Sequence, residues 1–142
     1  MLRKLLPLVL LALSACAPLP PSPADIEAKQ FQPVPGKAVV YVVRGYPDFA
    51  TEAATLMLDG AVMGSTYPGT YTRWVVQPGR HEIAGFAGDS GRFVLDVPPD
   101  GVYFVQQSVV RSFGGFAQSR FQPLPDGYGR AMVMRAELIG AR

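Results

Sequence analysis

Residues 37–44 read KAVVYVVR, the most apolar run of the chain's central part. It is rich in valine and too short to form a stable helix, and β-branched side chains favour a pleated backbone. No polar residue interrupts it between Ala38 and Val43. The run therefore predicts a central strand buried on both faces, with no alternation of apolar and polar positions.

Working outward, Gly45 to Ala53 is a loop that turns at Tyr46-Pro47-Asp48. Thr55 to Leu58 and Ala61 to Ser65 flank Asp59-Gly60, a strong hairpin signal because a type I′ turn needs positive φ at both central residues. Thr70 to Gln77 and Arg80 to Ala87 flank Pro78-Gly79 and are expected to form a second hairpin. Arg92 to Val97 alternates cleanly, with Phe93, Leu95 and Val97 on one side. Val102 to Val110 predicts a long strand, and Phe116 to Gln122 an edge strand after Gly114-Gly115. The segment Gly127 to Leu138 predicts a closing helix capped by Asp126, although Gly127 and Gly129 weaken its first turn. Turn signals recur at roughly 8–12-residue spacing, so the expected class is an all-β sandwich with a short C-terminal helix.

Upstream of this domain the chain opens with Arg3 and Lys4, an apolar run from Leu5 to Leu13, then small residues. A positive start, a short apolar run and a small-residue cleavage site predict a secretory signal peptide at residues 1–15. The run is well short of the roughly 20 residues of a membrane-spanning helix. Leu13-Ser14-Ala15-Cys16 closely resembles the lipobox of bacterial lipoproteins. That resemblance implies a diacylglycerol on the Cys16 thiol, cleavage after Ala15 and a further acyl chain on the Cys16 amine. Two or three chains at ~0.8 kcal/mol per buried CH₂ hold a protein stably on a membrane. Ala17 follows the cysteine, where an Asp would favour inner-membrane retention in enterobacteria; by analogy the address is the outer membrane, facing the periplasm.

Cleavage would also remove Arg3 and Lys4, bringing the 13 basic side chains level with the 11 acidic ones. The pI near 8.8 therefore belongs largely to the leader, and nucleic acid is not an expected partner. Cys16 is the only cysteine, so its acylation leaves no thiol for a disulfide or for catalysis. Residues 16–36, with prolines at 18, 20, 21, 23, 33 and 35, are expected to form an extended tether. At ~3.1 Å per residue it would reach up to roughly 60 Å. A helical turn or two is expected within Ala24 to Gln30. The globular domain is assigned to residues 37–142.

Within that domain, Leu58-Asp59-Gly60, Gly64, Gly69-Thr70-Tyr71 and Val76-Gln77-Pro78-Gly79-Arg80-His81-Glu82-Ile83 form an ordered pattern. Together with Val39 to Arg44 and Gly101 to Val105, it resembles a family of small bacterial lipoproteins of unknown function and is similar to PEGA-type domains. The resemblance covers Lys37 to Val109 and implies an Ig-like or transthyretin-like β-sandwich on a lipid anchor, with no established catalysis. The loop between Arg44 and Thr55 and the tail after Ser112 lie outside it.

The residues with chemistry are few. His81 is the only histidine, and its place after Pro78-Gly79 is that of a residue starting a strand; the alternative is an acid–base role in a hydrolase. Gly88-Asp89-Ser90-Gly91 is a turn, not a nucleophile elbow. A zinc site would have one candidate ligand, so no metal or other cofactor is expected beyond the lipid at Cys16. Asp48, Asp59, Asp89, Asp100 and Asp126 sit in turns, where Asp bonds its own backbone. Tyr71, Trp74 and Phe116, with Tyr67 and Phe113, are expected in the core; exposed, they would offer a surface to a glycan, a small ligand or a protein. The sequence thus predicts a lipid-anchored envelope protein without enzymatic activity, acting as a binding or scaffold module for an envelope protein or glycan.

Overall fold

The structure is a computed structural model and describes residues 20–111 and 113–140. Strand β1 (Ala38–Arg44) lies in the middle of a five-stranded sheet, between β7 (Val102–Arg111) and β4 (Thr70–Val76). β8 (Ala117–Leu124) extends this sheet beyond β7, and the two-residue β9 (Glu137–Leu138) extends it beyond β4. The facing sheet has four strands in the order β3 (Ala61–Thr66), β2 (Ala54–Leu58), β5 (Gly79–Phe86) and β6 (Ser90–Val97). β1 runs antiparallel to β4, with Val40 opposite Trp74, and parallel to β7, with Tyr41 opposite Phe104. The architecture is the all-β sandwich that the turn spacing predicts.

Every residue of β1 is buried, because this strand carries two cores. Val40 and Val42 face the second sheet and meet Leu56, Trp74, Ile83, Val97 and Val105. Val39, Tyr41 and Val43 point the other way, into a cluster with Phe31, Tyr71, Phe104 and Val133. Two short helices, α1 (Pro23–Ala28) and α2 (Asp126–Met134), cover that outer face. The uninterrupted apolar run of residues 38–43 thus has a physical origin: neither face of β1 meets water.

The boundary between tether and domain is not at residue 37. Ser22 caps α1, its hydroxyl accepting the Asp25 N–H at 3.1 Å, and Pro23 takes the first helical position, where no N–H is needed. Phe31 packs against Tyr41 and Phe104, with ring centroids 5.4 and 5.7 Å apart. The segment from Ser22 to Gly36 is therefore part of the folded domain and does not act as a spacer, so the 60 Å reach does not apply.

Three local expectations also change. Pro78-Gly79 is not a hairpin turn: β4 pairs with β1 and β9, and β5 pairs with β2 and β6, so these residues carry the chain from one sheet to the other. Asp126 is not the cap of α2; Pro125 holds that position, and the Asp126 carboxylate instead accepts Arg130 Nε one turn on, at 2.8 Å. Finally, α2 stops at Met134 and the chain adds β9 beside Thr70 and Tyr71. Asp59 and Gly60 have φ of +50° and +82°, as the hairpin between β2 and β3 requires.

Candidate functional site

The alternation of β1 aims Arg44, after Val40 and Val42, into the sandwich at its end, where it is fully buried. Its Nε donates to Asp48 Oδ2 at 2.5 Å, its Nη1 to the carbonyls of Glu52 and Thr66 at 2.7 and 3.2 Å, and its Nη2 to the Ala50 carbonyl at 2.6 Å. Asp48 Oδ2 also accepts the N–H of Val109 on β7 at 3.0 Å, and Oδ1 accepts the Phe49 N–H at 2.9 Å. A buried ion pair is tolerable only when its remaining donors and acceptors are satisfied, and here two loop carbonyls and the last carbonyl of β3 complete the guanidinium. The β1–β2 loop is therefore built around an internal charge and tied to both sheets.

With its polar centre turned inward, this loop turns its aromatics outward: Tyr46 is 81% exposed and Phe49 82%. The β7–β8 loop, at the same end of the sandwich, exposes Phe113 completely and Phe116 to 77%. Tyr67, in the turn between β3 and β4, is half exposed beside them in the topology. The core beneath these loops is closed by small residues, Ala50, Ala54, Val109 and Ala117, with Ala87 against them. A large apolar side chain gains more from burial than a small one, so exposed rings over buried alanines do not maximise burial. At this end large apolar side chains thus face water above a floor of small ones.

The N-terminal segment meets the fold next to this end. Asp25, buried, accepts Tyr71 Oη at 2.8 Å and the Leu138 N–H at 3.1 Å on Oδ1, and Lys29 Nζ at 2.8 Å on Oδ2. Burial alone would raise the Asp25 carboxyl, but these bonds outweigh it and hold the group below its ordinary value. Burial, and then the Asp25 carboxylate, push the Tyr71 phenol far up. Pro20 and Pro21 line a groove with Met134, Arg135, Glu137 and Leu138. Arg135 also borders a second groove, with Tyr46, Pro47, Gly69 and Tyr128.

The three aromatics named as a common ligand surface are separated by the fold. Tyr71 is fully buried under α1 and Trp74 is 6% exposed between the sheets, so neither presents a ring to a ligand as expected of that surface; Phe116 alone is open. The alternation of β4 explains this, since its odd and even positions serve the two cores in turn. His81 Nδ1 lies 2.6 Å from Asp59 Oδ2, and Nε2 lies 2.8 Å from the Gln77 carbonyl. Both nitrogens are committed to acceptors, so neither is open to a substrate proton in this arrangement. Among the described residues no cluster of three His, Cys, Asp or Glu side chains is placed to hold a metal. No described helix is long and apolar enough to cross a membrane. Leu13, Ser14, Ala15 and Cys16 lie outside the described residues.

Sequence reasoning read Tyr46 and Asp48 as turn residues and Arg44 as a strand end, and assigned none of them, nor Phe49, to a site. The signal available was an arginine ending an apolar strand, on the parity of Val40 and Val42, which places it inside. No protein-family model matches the chain, and comparison with curated proteins gives no match.

Proposed function

We propose that this chain is a lipid-anchored cell-envelope protein of the outer membrane, facing the periplasm, whose β-sandwich serves as a non-enzymatic binding or scaffold module. The observation that carries this reading is the inverted loop end, where Tyr46, Phe49, Phe113 and Phe116 face water above a layer of alanines. A contact surface of this kind, held by a buried Arg44–Asp48 pair, fits a module that binds and does not catalyse. The lipobox sequence supplies the anchor in this reading, and the resemblance to small envelope lipoproteins agrees with it.

The test is metabolic labelling with an alkyne fatty acid, comparing wild type with Cys16→Ala. Wild type is expected to carry the label and to sediment with membranes, and Cys16→Ala to lose both properties. Equal labelling of the two proteins would overturn the anchor.

A further inference from the structure

We infer that the loop end bearing Tyr46, Phe49, Phe113 and Phe116 docks into the interfacial layer of the bilayer that holds the Cys16 acyl chains. This rests on the lipid-anchor reading and adds to it how the domain lies on its membrane. Pro20 is four residues from Cys16, and four residues span at most about 14 Å of chain. The folded domain therefore stands against its membrane, and the point of entry decides which end faces it. Pro20 lines one groove with Arg135 and Glu137. Glu137 N–H donates to the Gly69 carbonyl at 2.9 Å, in the turn that neighbours Tyr46. The leash thus enters at the aromatic end.

The chemistry of that end suits the interface. Tyrosine and other amphipathic aromatics concentrate at headgroup depth, with the ring in the acyl boundary and the hydroxyl in water. Tyr46 and Phe49 flank Pro47 and Asp48, and the Arg44 clamp beneath them sets the loop before contact. Insertion then requires no rearrangement of the backbone. Attraction to anionic headgroups is a minor part of the driving force: Arg44 is paired with Asp48 and Arg111 with Glu52, which leaves Arg135 as the exposed cation beside the leash and Tyr46. The docking is accordingly expected to weaken only slightly with salt, by the share of one cation.

The test uses the acylated protein. Cys16 is the only cysteine, so once it carries lipid, Phe49→Cys or Phe113→Cys adds a single reactive thiol. Ala61→Cys, in the β2–β3 hairpin at the opposite end, serves as control. Each variant is labelled with an environment-sensitive dye and reconstituted into vesicles of phosphatidylethanolamine and phosphatidylglycerol. Mass spectrometry of the mature protein first establishes the acyl chains, and thermal melting establishes the fold. Dye at positions 49 and 113 is expected to shift to the blue, brighten severalfold and be quenched by brominated lipid at low and at high salt alike, with only a small loss at high salt; dye at 61 is expected to stay aqueous. Aqueous dye at 49 and 113 on acylated protein would overturn the docking while leaving the anchor intact. Dye protected in native envelope membranes but aqueous in pure lipid would also overturn it, assigning the surface to a protein. A mature protein without acyl chains fails the anchor reading itself, and is recognised before any vesicle is added.

Discussion

Asp59 Oδ2 lies 2.6 Å from His81 Nδ1, and this contact clasps the β2–β3 turn to the start of β5 across 22 residues. Asp59 Oδ1 accepts the Glu82 N–H at 2.9 Å, and His81 Nε2 faces the Gln77 carbonyl. Two acceptors on one imidazole are satisfied together only by the doubly protonated ring. Burial alone would lower the His81 pKa, but the bonds to Asp59 and Gln77 prevail and raise it. The hydrogen bond to His81 in turn lowers Asp59. The Leu58-Asp59-Gly60 and Pro78-Gly79-Arg80-His81 halves of the sequence pattern are thus two sides of one contact.

A pH dependence of stability follows from the signs of these shifts. A raised histidine contributes fully below its unfolded value of 6.5, and the contribution is lost as pH rises through the folded value. The lowered Asp59 carboxyl contributes above its unfolded value of 3.8, and that contribution is lost as pH falls through the folded value. The clasp is therefore strongest between these limits. Because Asp59 is half exposed, the effect is at most about 1 kcal/mol. Urea unfolding at a series of pH values is expected to show His81→Gln flattening the decline above pH 6.5, and an unchanged decline would refute the clasp's part in it.

The bond between Tyr71 Oη and Asp25 Oδ1 is one of two buried tyrosine ties between α1 and the sheet, the other running from Tyr41 Oη to the Ala28 carbonyl at 2.6 Å. Asp25→Ala strands the Tyr71 hydroxyl and the Leu138 N–H without their acceptor, and takes from Lys29 its carboxylate partner. The expected cost is about 3 kcal/mol, against about 1–2 kcal/mol for Tyr71→Phe. A double-mutant cycle on the pair is expected to give a coupling well above experimental error; additive losses would mean that the contact contributes little. Proteolysis reads the same event, since Asp25→Ala should open the chain near residues 22–36.

Arg44 holds the β1–β2 loop from within, so its replacement acts on the aromatic end indirectly. Arg44→Met leaves Asp48 buried without its partner, with an expected loss of about 3–5 kcal/mol. Arg44→Lys is expected to recover only part of it, because one ammonium cannot reach Asp48 and three separate carbonyls as the planar fork does. Hydrogen exchange checks the location: protection should fall first over residues 45–53 and at the Val109 amide, which bonds Asp48. Uniform loss of protection across both sheets would count against a local clamp.

The strands were legible because turn chemistry and side-chain parity are local properties. Asp59-Gly60 marks its hairpin by composition alone, and Val39 to Val43 marks a strand buried twice over. Sheet membership was not legible at Pro78-Gly79, since a turn and a crossover use the same residues and differ only in which partner each strand finds. Nor was the docking of α1, because the proline content of residues 18–35 speaks for extended chain while burial of Asp25 and Phe31 is a tertiary choice. The aromatic end was legible only in part: Tyr67, Phe113 and Phe116 stood out as a candidate surface, whereas Tyr46 and Phe49 did not. An exposed Phe113 and a buried Phe104 are the same residue type in sequence, and only the sandwich separates them.

Gly127 and Gly129 weaken the first turn of α2 equally in propensity, yet their surroundings are opposite. A Cβ at Gly127 meets open space, whereas one at Gly129 would collide with the Phe104 ring, on which the helix rests. Gly127→Ala is therefore expected to stabilise the protein by about 0.5–1 kcal/mol, the ordinary gain of alanine over glycine within a helix. Gly129→Ala adds the same propensity but displaces Phe104 from its stack on Tyr41, whose centroid is 5.2 Å away. That overpacking costs about 1–3 kcal/mol, so the net change is expected to be destabilising. Thermal unfolding of the two variants should move the midpoint in opposite directions. A rise for both would mean that Phe104 yields without loss and that the close approach of α2 to β7 does not depend on glycine.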